Sequence, residues 1–195
     1  MKTKVKNTLL TVTEGGISIA LAVLLEMTIK IWEMPNGGSI TVSIVPIIYY
    51  SYRRGPVWGI SAGFAWSVLQ LVLGKFYAPP ANTAWSVVLC ILLDYVIAFS
   101  VSGCAVLFAR LFGKYRLTGY VVSAVIVGFL RYMSSFLSGI LLWGSYAPEG
   151  VSVWWYSLSY NGTYMIPNMI IAGIIIGILC KAVDPINLKR YRPAQ

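Results

Sequence analysis

Residues 131–168 read RYMSSFLSGILLWGSYAPEGVSVWWYSLSYNGTYMIPN. The stretch begins with a charge, Arg131, inside an apolar segment. It continues through small residues, Ser134, Ser135, Ser138 and Gly139, passes a tight aromatic connection from Trp143 to Tyr156, and re-enters an apolar segment through Asn161. Polar groups are expensive in hydrocarbon, so a membrane segment that keeps them needs a reason. Trp143, Tyr146, Trp154, Trp155, Tyr156, Tyr160 and Tyr164 crowd this one region. Two readings are open. The rings form the wall of a pocket for a flat or cationic ligand, or they form the interfacial belt that membrane proteins commonly carry.

Outward from this stretch, the composition fixes the class. Of 195 residues, 58% are hydrophobic and 11% are charged, whereas a soluble domain carries about 25% charged residues. The apolar segments approach or exceed the ~20 residues that cross a bilayer as a helix. They lack the strict alternation of a membrane β-barrel. The expectation is an all-α integral membrane protein, with residues 1–195 forming a single six-helix membrane domain. The formal charge of +9 has a better explanation than nucleic acid, because the basic residues sit between hydrophobic segments. Cys90, Cys104 and Cys180 have no paired spacing and read as packing residues. The chain has no histidine, which removes His-based zinc sites, Ser-His-Asp triads and His proton relays together.

The basic-then-apolar start MKTKVKNTLL resembles a signal peptide, but the apolar run continues to Trp32 and reads as a retained first helix, about 8–32. Gly16 and Ala20 on it are four apart, a small-xxx-small pair where another helix can approach closely, in the same chain or another. Glu26 and Lys30 have the spacing of a helical ion pair. Further helices are expected over about 40–52, 57–73, 84–112, 119–143 and 155–183. They are separated by Gly/Pro-rich or aromatic connections at 33–39, 74–84 and 144–154. If the N-terminus is cytoplasmic and six helices cross, the cytoplasmic side receives Lys2, Lys4, Lys6, Arg53, Arg54, Arg110, Lys114, Arg116, Lys181, Lys189, Arg190 and Arg192. These are 12 of the 15 basic residues, the asymmetry the positive-inside rule demands. Both termini are then cytoplasmic, and Lys30, Lys75 and the three connections lie outside.

Asp94 and Arg131 are the two deep charges. Either they pair with each other, or Asp94 faces an outward-open cavity and accepts a ligand cation or amine. Ser135, Gly139 and Trp143 share one helix face by their spacing of four. Trp66, Tyr77, Trp85, Tyr95, Trp154, Trp155 and Tyr156 fall on the same outer side, and Asn161 can donate and accept at the start of the last helix.

The stretches GGSITVSIVPI, RRG after the second helix, LLDYVIAF, RYMSSFLSG, WGSYAPEG and YSLSYNGTYMIP make the chain resemble the thiamine-specific substrate-binding (S) components of energy-coupling factor transporters, the ThiT family. The resemblance covers nearly the whole chain. It implies six helices in the cell membrane of a prokaryote and capture of a thiamine-like molecule from outside. It also implies docking to a membrane T component and two ATPase subunits that consume ATP, with no cofactor on the chain itself. By the same resemblance Gly16 and Ala20 dock the partner, and Asp94 is the acidic pocket residue, followed by Tyr95. Further pocket positions fall on Trp66, Gly139, Trp143, Tyr156 and Asn161, with Tyr77 as an additional one. Ser135 stands where the family usually has histidine, and a first-loop aromatic of some members falls near Gly37. A thiamine precursor or another small cationic or aromatic vitamin is the alternative ligand. An intramembrane enzyme built on Asp94 has little to support it, with no second carboxylate nearby in sequence and no H-E-x-x-H or G-x-S-x-G motif. A self-sufficient ion-coupled carrier would show inverted repeats, and none is visible.

Overall fold

The computed structural model describes residues 2–74, 76–114 and 116–186, with side chains from residue 7 onward. The basic side chains of Lys2, Lys4 and Lys6, and Lys75, Lys189, Arg190 and Arg192, lie outside what is described. Helix α1 spans Lys2–Thr28. A two-stranded hairpin follows, β1 (Trp32–Glu33) against β2 (Ser39–Ile40). Then come α2 (Val45–Arg54), α3 (Pro56–Leu73), α4 (Ala84–Phe112), α5 (Arg116–Leu142) and α6 (Val153–Ala182).

Among the described residues five helices, α1 and α3 to α6, are long and apolar enough to cross a membrane. Helix α2 has 10 residues, about 15 Å. This corrects the expected helix over 40–52, and the reason is local. Ser39, Thr41 and Ser43 turn their hydroxyls onto the Glu26 carboxylate, and such bonds compete with helix formation. Pro46 then sits in the first turn of α2, where its missing N–H costs nothing. The first helix likewise stops at Thr28 rather than Trp32, because Ile31 N donates to Ile40 O at 2.9 Å and draws the chain into the hairpin. The hairpin turn needs Gly37 and Gly38, whose φ values are 94° and 95°, a region that L side chains rarely occupy.

The expected Glu26–Lys30 pair does not form. Lys30 Nζ lies 3.0 Å from Glu33, and Glu26 serves the three hydroxyls. At the opposite end of the molecule Glu14 binds both Arg53 and Arg54, at 2.6 and 2.7 Å, tying α1 to the α2–α3 junction.

Helices α5 and α6 pack along most of their length, through small residues. An added Cβ at Gly128 would meet Met169 at 2.6 Å, and one at Gly139 would meet Ser157 Oγ at 2.0 Å. Backbones of α3 and α4 approach still more closely, with Gly103 against the Gly59 backbone. This is how membrane helices gain van der Waals contact without a hydrophobic drive between them. The interior is built from Ile47, Ile48, Trp66, Val127 and Ile176, all fully buried. Large apolar side chains such as Leu9, Val72, Leu111 and Ile178 are more than half exposed, as lipid-facing residues are.

Candidate functional site

Helix α4 is not regular. Residues Ile91–Ile97 form a π-helical turn and Val101–Cys104 a 3₁₀ turn. A π turn inserts an extra residue and re-aims the side chains around it, which is why such turns gather at functional sites. Asp94 sits in it. Its carboxylate accepts from Ser138 Oγ at 2.5 Å and from Cys90 Sγ at 3.5 Å. Asp94 also borders a cavity of about 370 Å³.

The three connections at 33–39, 74–83 and 143–152 converge on this cavity, contributing Glu33, Gly37, Tyr77 and Trp143 among others. Its walls are aromatic. Trp143 stacks on Tyr146 at 5.9 Å with 22° between planes, and Tyr156, Tyr160 and Tyr164 follow one another along α6 at 5.7 and 6.4 Å. The Tyr160 hydroxyl accepts from Asn36 N at 3.0 Å and donates to Gly37 O at 3.1 Å, so the hairpin turn is strapped against α6.

Of the nine binding residues chosen from sequence, eight line this cavity: Asp94, Tyr95, Tyr77, Ser135, Gly139, Trp143, Tyr156 and Asn161. Trp66 does not. It is fully buried behind the wall, edge-on to Phe99 at 4.4 Å. An aromatic on an internal face supports the pocket from behind as readily as it lines it, and spacing does not separate the two. Asn161 spends its polar atoms internally. Its Nδ2 donates to Ser157 O at 3.0 Å and its Oδ1 accepts from Tyr164 at 2.7 Å. It therefore fixes the tyrosine wall as well as bordering the cavity. Ser135 is buried beside Tyr164.

The aromatic crowd divides. Trp143, Tyr146, Tyr156, Tyr160 and Tyr164 face the cavity, while Trp154 and Trp155 are 63% and 64% exposed and fit an interfacial belt. The crowd thus splits between cavity wall and exposed surface. Asp94 and Arg131 do not pair within ion-pair distance. The Arg131 guanidinium lies over the rings of Phe99 at 4.5 Å and Trp66 at 5.8 Å. Cys90, read as packing, is an Asp94 donor. Glu26, Gln70 and Arg131 also border the cavity. Gln70 had a signal, an amide within an apolar helix one turn from Trp66. Glu26 had only its apparent Lys30 partner, which misdirected the reading. Gly16 and Ala20 are exposed, and nothing lies within 4 Å of a Cβ built on Gly16.

These features have counterparts in known proteins. The chain is 37% identical over 176 residues to the thiamine transporter ThiT of Bacillus subtilis (strain 168), covering 85% of this chain and 88% of the relative. It is 32% identical over 149 residues to the thiamine transporter ThiT of Lacticaseibacillus paracasei, covering 70% of each. The solved structure of ThiT from Listeria monocytogenes superposes with a TM-score of 0.75 at 26% identity, over 91% of this chain and 96% of that one. Residues 12–188 match the model of the family described as thiamine transporter protein (Thia_YuaJ), and with five apolar membrane-length helices the chain is a multi-pass plasma-membrane member of that transporter family, not an enzyme.

Proposed function

We propose that this protein is the substrate-capture subunit of an energy-coupling factor importer, binding thiamine or a close analogue from outside the cell. The observation that carries the proposal is the Asp94 carboxylate on a cavity walled by Trp143, Tyr146, Tyr156 and Tyr160. Thiamine offers the matching chemistry, a cationic thiazolium ring and a flat aminopyrimidine. A carboxylate meets the cation or the amino group, and electron-rich ring faces attract the cation. The relatives named as thiamine transporters supply the substrate class.

In this reading six helices cross the bilayer, α2 among them as the short one. Both termini are cytoplasmic, and the cavity opens outward. The exposed Gly16 and Ala20 receive a helix of the membrane T component, and two ATPase subunits supply the energy. The chain itself needs no cofactor. The test is quenching of Trp143 fluorescence by thiamine in detergent-purified protein, with riboflavin as the control. Saturable quenching by thiamine alone supports the proposal. Equal response to both, or to neither, refutes it.

A further inference from the structure

Arg131 is the feature that cation capture leaves unused. It projects from the middle of α5, and its guanidinium rests on Phe99 and Trp66. Among the described residues it has no hydrogen-bond or ion-pair partner, and its Nε is buried. Gln70, one turn outward from Trp66, also has a buried amide nitrogen with no partner. Both side chains border the ligand cavity. Buried donors are normally satisfied, and a guanidinium at membrane depth strongly so. Gln70 sits at the outer end of α3, against Gly74, whereas the orphaned Arg131 guanidinium at the inner end points to an acceptor supplied by whatever fills the cavity.

The depth fits. Asp94 bonds Ser138, and Arg131 lies seven residues deeper on α5, about 10 Å along the axis. A ligand held by its cationic portion at Asp94 must therefore extend inward to reach Arg131. The charge balance selects the acceptor. Glu26, Glu33 and Asp94 border the cavity against Lys30 and Arg131, and Lys30 is held by Glu33 at 3.0 Å, so two further carboxylates stand against the one guanidinium. A neutral oxygen is favoured there over a phosphate dianion. An alcohol can also donate a hydrogen bond, and the Glu26 carboxylate borders the same cavity as an acceptor.

We infer that Arg131 is the donor at the inner end of the cavity that holds an alcohol oxygen of the ligand, making it a specificity-determining residue. This rests on the proposed thiamine-like ligand and adds which end of it points inward. The hydroxyethyl oxygen sits at Arg131, and its phosphate ester is disfavoured.

The experiment is titration calorimetry on the full-length protein in detergent with three probes: thiamine, its analogue with ethyl in place of hydroxyethyl, and thiamine monophosphate. The wild type is expected to prefer thiamine to the ethyl analogue by roughly ten- to a hundredfold, the value of a hydrogen bond to a charged group, and to bind the monophosphate more weakly than thiamine. In Arg131→Met the thiamine-to-analogue ratio should fall toward one. Equal wild-type affinity for thiamine and the ethyl analogue overturns the subsite without any variant having to fold. So does an unchanged ratio in Arg131→Met. Tighter binding of the monophosphate overturns the choice of a neutral oxygen. Failure of the wild type to bind any of the three overturns the proposed function itself, a separate result.

Discussion

Replacing Asp94 by Asn tests the centre of the site. The change removes the charge and keeps the shape. In the structure the carboxylate is already served by Ser138 Oγ at 2.5 Å and Cys90 Sγ at 3.5 Å. An amide oxygen can keep the Ser138 bond, and the Cys90 thiol can rotate to accept from the new NH₂. The cost to folding should be that of one altered hydrogen bond, about 1 kcal/mol. The cost to binding is larger. A hydrogen bond to a charged group contributes about 1.5–3 kcal/mol net, so affinity for thiamine should drop roughly 10- to 150-fold. Titration calorimetry measures this, and size-exclusion profiles with thermal unfolding monitor the fold. Arg131→Gln is the comparison. If Asp94 were the counter-ion of Arg131, each variant would strand a buried charge at about 3–5 kcal/mol, and both would lose folded protein. The absence of an ion-pair contact between them predicts that both purify as folded protein. Unchanged thiamine binding in a well-folded Asp94→Asn would refute the assignment.

Other perturbations follow from the same geometry. Gly139→Ala places a Cβ 2.0 Å from Ser157 Oγ and 3.2 Å from Asn161 Nδ2. Overpacking of this kind costs about 1–3 kcal/mol, so thermal stability and thiamine affinity should both fall, and wild-type values for both would contradict the close α5–α6 approach. Gly16→Leu or Ala20→Leu should abolish thiamine uptake by cells while binding to the purified protein persists. Joint loss of uptake and binding would make the pair an internal packing feature. For topology, single cysteines at Pro80 and Glu149 in a Cys-free background should react with an impermeant maleimide in whole cells, and Lys114→Cys should not. The reverse pattern would invert the orientation.

What the sequence by itself determined is what depends on composition and period. Long apolar runs identify membrane helices, because hydrocarbon allows few other structures. A carboxylate within such a run singles out Asp94 as a candidate, because burying it idly is costly, and it borders the cavity. Spacing of four put Ser135, Gly139 and Trp143 on one face, and all three border the cavity. What only the tertiary structure decided is what depends on contacts distant in sequence. Glu26 matched a local helical pair with Lys30, yet Ser39, Thr41 and Ser43, 13 to 17 residues away, claim its carboxylate. That choice ends the helical pattern and leaves α2 short. Trp66 and Trp143 look alike in sequence, but one is sealed behind Phe99 and the other borders the cavity. The deep charges Asp94 and Arg131 invited pairing on energetic grounds. The π turn in α4 and the aromatic bed of Phe99 and Trp66 give each a separate environment. One-dimensional periodicity sets which face of a helix a residue occupies. Which neighbour fills that face is settled only when the helices pack.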